Sequence, residues 1–210
     1  MRRLLPVVIL TLALVASAAI ATAGEGTVEK AGREFPVELL FEHDGQQYDL
    51  KVTGTALRKK IVVKVYAMAH YMDATEFDSK NAALEAALSG DHAMQITMTF
   101  TRDVGAEKIQ NAYREGFEKH ATEDELGKIT GQIDQFVGYF GKDAQKDGQY
   151  ILRSLPDGTV LVSVLGDWMD PIVDKTFSSV LWRIWLDDGS VVNRKDLVKI
   201  AVPNKRKSRR

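Results

Sequence analysis

The sequence contains no cysteine, which excludes a thiol nucleophile, a thiolate zinc site, iron–sulfur ligation and any disulfide framework. It has little net charge: 28 basic residues against 29 acidic ones create no chain-wide field to draw in nucleic acid. The four histidines, His43, His70, His92 and His120, are scattered without metal-ligand spacing, so neither a metal nor another cofactor is expected. No Gly-x-Ser-x-Gly elbow, phosphate loop or dinucleotide fingerprint occurs. No repeat of about 20–50 residues is visible, which excludes a solenoid or propeller. The adjacent carboxylates Asp187 and Asp188 precede Gly189-Ser190 and read as turn formers, not as an acid/base pair. What remains, at 210 residues with 45% hydrophobic and 27% charged, is one ordinary globular domain.

The N-terminus reads as a targeting segment. Arg2 and Arg3 precede a run from Leu4 to Ala23 without charge, closing on the small-x-small pattern Ala21-Thr22-Ala23. We expect residues 1–23 to be a cleaved export signal and the protein to be periplasmic or secreted. The alternative is an inner-membrane anchor over residues 4–23, since about 20 apolar residues can just span a bilayer. Pro6 and the Ala-, Ser- and Thr-rich second half favour cleavage. Cleavage leaves 26 basic and 29 acidic residues, five of the cations in the tail 204–210. Residues 24–203 form the expected domain, and the tail reads as a solvated, disordered end. Weak contact of that tail with an anionic membrane surface is its functional alternative.

Within the domain, Glu38–Phe41 and Tyr48–Val52 are expected strands around a polar turn, and Ile61–Met72 is the strongest β segment. His92–Phe100 alternates Met94, Ile96, Met98 and Phe100 against Gln95, Thr97 and Thr99, the period of a half-buried strand. Gln149–Arg153 and Thr159–Leu165 flank the turn Pro156-Asp157-Gly158. Helices are expected over Asn81–Leu88 and Val104–His120, and after a Thr122/Glu125 capping box. A further one is expected to start at Asp170-Pro171, with an amphipathic piece at Arg194–Ala201. Separate runs of strand and helix predict an α+β fold, an antiparallel sheet with helices on one face.

Gly54-Thr55-Ala56-Leu57-Arg58-Lys59-Lys60, followed by Lys64-Val65-Tyr66 and then Tyr71, resembles the first hairpin of chalcone-isomerase-like proteins. There a Gly-x-x-x-Arg turn leads into a Lys-Val-Tyr-x-x-x-x-Tyr strand. The later order of elements fits as well, so the resemblance spans about residues 33–202. It implies an open-faced β-sandwich of chalcone isomerase type, a long antiparallel sheet with a helical layer and a ligand cleft between them. The family contains three kinds of member. Plant isomerases close a chalcone to a flavanone, plastid members bind free fatty acids without chemistry, and many bacterial members carry a signal peptide. Arg58 matches an arginine shared by catalytic and binding members, while Tyr66 stands where isomerases have threonine and fatty-acid binders have tyrosine. The positions matching the isomerases' tyrosine and asparagine are Gly105 and Ala112, with Asn111 one residue away. The resemblance therefore implies no catalytic residue and a ligand site at Arg58 and Tyr66, to which the strand pattern below adds Met68 as a residue lining the ligand's tail.

Residue chemistry gives the same segment its own rationale. On a strand, Val62, Lys64, Tyr66, Met68, His70 and Met72 share one face, and Val63, Val65, Ala67, Ala69 and Tyr71 the other. The first face, with two flexible methionines, a phenol and an imidazole, suits an apolar slot with a polar end. A partly exposed face that holds nothing is the competing reading. The expected function is a non-catalytic, exported binder of a fatty acid or similar amphipathic carboxylate, with no nucleic-acid partner. An intramolecular lyase or isomerase for a flavonoid-like enone, and a structural or partner-binding domain, are the alternatives.

Overall fold

The computed structural model describes residues 22–23 and 26–203. The tail 204–210 and nearly all of the expected export signal lie outside the described residues. Strands β1 (Thr22–Ala23), β2 (Thr27–Lys30), β3 (Arg33–Pro36), β4 (Glu38–His43), β5 (Gln46–Lys60) and β6 (Val63–Met72) come first. Helix α1 (Lys80–Ser89), strand β7 (Met94–Phe100) and helices α2 (Ala106–His120) and α3 (Glu123–Gly138) follow. Strands β8 (Gln149–Ser154), β9 (Thr159–Val164), β10 (Asp167–Trp168) and β11 (Ile172–Val173) then lead to α4 (Lys175–Leu186).

The main sheet is antiparallel in the order β1-β4-β5-β6-β7-β8-β9-β10, with β11 also pairing β9. Helices cover one face, as the α+β reading requires. Met68, Met72, Met94, Ile96, Met98, Tyr150 and Leu152 point from the sheet into a core shared with Phe117, Phe136, Phe177 and Trp185 of the helices. Each such side chain, fully buried, contributes roughly 1.5–3 kcal/mol. The opposite face carries a smaller core of Phe35, Phe41, Leu50, Ala67, Ala69 and Tyr71 under the β2–β3 hairpin. The two faces of β6 are divided as its alternation predicts. The Thr122 capping box is also present: Thr122 Oγ1 accepts from Glu125 N, and the Glu125 carboxylate accepts from Thr122 N at 2.8 Å.

Three sequence expectations need correction. Gly54–Lys60 is not a turn but the second half of β5, and the chain reverses at Ile61-Val62. The pairing of β5 with β6 over nearly the whole length of β6 overrides the turn signal of Gly54. Asp170-Pro171 does not cap a helix. The next residues, Ile172 and Val173, pair with Val160 and Thr159 at the sheet edge, where a preceding proline is tolerated. The cap falls to Asp174, whose Oδ1 accepts from Phe177 N at 2.8 Å. Of the amphipathic piece Arg194–Ala201, Arg194–Asp196 alone is helical, a single 3₁₀ turn. Leu197 and Val198 are nonetheless fully buried against the sheet. The β2–β3 hairpin had no strong sequence signal.

Candidate functional site

The β5–β6 register places Arg58 directly opposite Tyr66. Their neighbours Leu57 and Ala67, also opposite each other, belong to the core on the far side, so Arg58 and Tyr66 face the helical layer. Arg58 Nη1 donates to the carbonyls of Val191 and Lys59, each at 3.0 Å. Among the described residues its Nε and Nη2 have no partner. Trp185 of α4 donates its indole N–H to the Tyr66 hydroxyl at 3.1 Å. The Tyr66 hydroxyl is thus an acceptor for the indole and keeps its own proton to donate. Burial raises the Tyr66 pKa, opposed by the Trp185 bond and the Arg58 charge, so the phenol is neutral at physiological pH.

From Tyr66 the ring contacts close on themselves. Tyr66 meets Phe100 edge-on at 6.0 Å, Phe100 meets Tyr150 at 4.8 Å, and Tyr150 meets Phe140 at 5.1 Å. Phe140 contacts Tyr113 at 4.6 Å, Tyr113 contacts Trp185 at 6.2 Å, and Trp185 returns to Tyr66. This circuit draws on β6, β7, β8, α2, α4 and the turn that follows α3. Edge-on pairs at these spacings are favourable beyond simple burial. Two more phenols sit within it. The Tyr150 hydroxyl is buried with no hydrogen-bond partner among the described residues, and its pKa is pushed up to about 12, chiefly by burial. Tyr113 is raised well above the usual phenol value by burial and by the phenols of Tyr66 and Tyr150. A buried hydroxyl without a partner is a costly group and an available donor.

Met68, the third expected site residue, is fully buried between Ala56 and Met98, next along the same face from Tyr66. It belongs to a methionine group with Met72, Met94 and Met98 in the main core. Arg58, Tyr66 and Met68 therefore lie on one face of one hairpin.

His70 has a different role from the one its strand face suggests. Its Nδ1 lies 2.6 Å from Thr53 Oγ1, which also bonds to the carbonyl of Leu197 at 2.8 Å. With Thr53 donating to Leu197, His70 Nδ1 carries the proton given to Thr53, and burial pulls its pKa down to about 3. The imidazole ties β6 to the C-terminal segment. A group whose folded pKa lies below its unfolded value of about 6.5 destabilises the fold as pH drops through that window. We expect stability to fall by up to about 1.4 kcal/mol per pH unit from pH 6.5 toward pH 3 on account of His70. Urea unfolding at pH 6.5 and pH 5 measures it. His70→Gln should flatten the difference, and an unchanged pH dependence in that variant would assign it to other groups.

The isomerase-like positions fall outside the circuit. Gly105 is the N-cap of α2, and Asn111 and Ala112 lie on its exposed face, whereas the next residue, Tyr113, points inward. Sequence reasoning missed Tyr113, Phe140, Tyr150 and Trp185 as site residues. Their one signal was helical or strand periodicity, which marks a core position without distinguishing it from a site. Among the described residues no group of His, Asp and Glu could hold a metal ion.

The profile of the family described as chalcone isomerase-like matches residues 28–196. The chain belongs to the chalcone isomerase-like family. The fold agrees: the crystal structure of a fatty-acid binding protein of Arabidopsis thaliana superposes with a TM-score of 0.64. That match is 15% identical in sequence and covers 84% of this chain and 97% of the plant protein. No curated protein sequence matches. As a chalcone isomerase-like protein, the chain has the family's curled antiparallel sheet with helices on one face, and Arg58, Tyr66 and the aromatic circuit lie between those layers.

Proposed function

We propose that this chalcone isomerase-like protein binds a fatty acid or similar amphipathic carboxylate without transforming it. The observation that carries the reading is the pairing of Arg58 with Tyr66 beside the aromatic circuit and the buried methionines. A guanidinium whose Nε and Nη2 are unengaged and a phenol with a free proton form a donor set for a carboxylate. Met68 and its methionine neighbours are unbranched and can shift to admit an acyl tail. The shared fold of the plant fatty-acid binding protein supports the same reading. The phenols are held protonated and so supply no base, His70 is committed to Thr53, and Gly105 and Ala112 offer no side-chain donor, so the site has neither a base for a chalcone's phenol nor the donors of those two positions.

Mass spectrometry of the protein purified from its native host tests the proposal. A bound acyl carboxylate supports it, and a protein that carries no ligand and also fails to take up a fluorescent fatty acid overturns it in favour of a partner-binding domain. Turnover of a hydroxylated chalcone is expected to remain at background. Stabilising the reacting oxygens requires fixed donors where charge develops, and rates approaching ~10 s⁻¹ would overturn the non-catalytic reading.

The reading includes export with cleavage after Ala23. Cleavage would remove β1 and leave β4 as the sheet edge. N-terminal sequencing of the exported protein should return Gly24, whereas an intact Met1 in the membrane fraction would mean an anchor.

A further inference from the structure

The tip of the β5–β6 hairpin breaks the rules of its own turn. Ile61 is 92% exposed and Val62 84% exposed, and Val63 beside them is also open to solvent. Ile61 has φ +58°, the left-handed region that a β-branched residue rarely adopts. A two-residue hairpin turn favours asparagine or glycine at such a position. Two branched apolar residues there cost conformational energy and place hydrocarbon in water. Nothing in the fold offsets either cost, since the tip packs on no core.

The surroundings supply a reason. Lys59, Lys60 and Lys64 flank the tip, all exposed, and none has an ion-pair partner among the described residues. Val63 and Lys64 line a shallow groove with Thr101, Arg102, Asp103 and Lys146, which adds two cations. The acids nearby are Asp103, which accepts from Lys146 N at 2.7 Å, and Asp147, paired with Arg33. Residues 24–203 as a whole hold 21 basic and 29 acidic residues, so a basic tip projects from an acidic body. That distribution turns the tip toward an anionic surface and the body away from it. An apolar cluster of three residues is far smaller than a stable protein–protein interface needs, but it suits the boundary of headgroups and acyl chains.

We infer that the β5–β6 hairpin tip docks this protein on an anionic lipid surface, with Ile61 and Val62 entering the headgroup layer. The flanking lysines meet the lipid phosphates. This inference goes beyond the acyl-binding reading and does not depend on it: a chain that docks but binds no fatty acid would overturn that reading alone.

The absence of cysteine makes a direct test available. Val62→Cys in the full chain is labelled with an environment-sensitive fluorophore and titrated with phosphatidylglycerol or phosphatidylcholine vesicles. A second chain carries the label through Glu85→Cys on α1, at the opposite end of the hairpin. We expect a blue shift at position 62 with phosphatidylglycerol vesicles, little with phosphatidylcholine, and none at position 85. Adding Lys60→Gln should weaken the titration by about fivefold, and Lys59→Gln with it by about twenty-five-fold. Ile61→Asn relieves the turn, so it should keep or raise unfolding stability while weakening vesicle binding by about tenfold. No shift at position 62 on anionic vesicles overturns the inference. Equal shifts at positions 62 and 85 overturn it too, because association would then run through another part of the chain. A shift produced by a purified protein partner but not by vesicles would assign the tip to that protein.

Discussion

Replacing Gly54 by alanine is expected to lower the unfolding free energy by about 3 kcal/mol or more, the upper end for adding a carbon to a closely packed site. Gly54 lies at the register shift of β5, where the C-terminal segment crosses the strand. A Cβ there would lie 2.1 Å from the Asp196 carbonyl oxygen and 2.5 Å from the carbonyl carbon of Leu197. Both are backbone atoms, so no side-chain rotation relieves the clash. The segment itself is held at Thr53, whose carbonyl accepts from Ile200 N at 2.7 Å and whose hydroxyl donates to Leu197. Displacing it would uncover Leu197, Val198 and Ala201, all buried, and would strip His70 of the anchored threonine. Urea denaturation monitored by tryptophan emission measures the loss, and hydrogen exchange should show residues 194–202 opening first. A variant within about 1 kcal/mol of wild type would mean that the segment shifts without cost.

Removing the Arg58 guanidinium is expected to weaken fatty-acid binding by roughly tenfold to somewhat over a hundredfold. A hydrogen bond to a charged group in a desolvated cleft contributes ~1.5–3 kcal/mol, which converts to that range. Arg58→Lys keeps the charge but loses the planar fork, so its affinity should fall between wild type and Arg58→Ala. Tyr66→Phe removes one neutral donor and leaves the Trp185 N–H without its acceptor, while the contact with Phe100 survives. Its effect should be smaller than that of Arg58→Ala. Displacement of a fluorescent fatty acid from the three variants gives the order. Because Arg58 also holds the Val191 carbonyl, circular dichroism and thermal unfolding must accompany the titration. A folded Arg58→Ala variant with wild-type affinity would place the site elsewhere.

The sequence by itself determined the α+β class, the β8–β9 hairpin, the Thr122 capping box and the division of β6 into two faces. These are local: they depend on alternation, on turn residues and on caps acting within a few positions. It also marked Arg58, Tyr66 and Met68, through a short motif and the period of two that sets Tyr66 and Met68 on one face. Tertiary structure decided what those signals could not carry. Pairing with β6 made Gly54–Lys60 a strand and brought Arg58 opposite Tyr66. Pairing of Ile172 with Val160 moved the start of α4 from Asp170 to Asp174. The C-terminal segment claimed His70 through Thr53. The aromatic circuit joins residues as distant as Tyr66 and Trp185, each of which reads alone as ordinary core. Long-range pairings of this kind leave no periodic trace, because a side chain's local pattern fixes which way it points and only packing fixes what it meets.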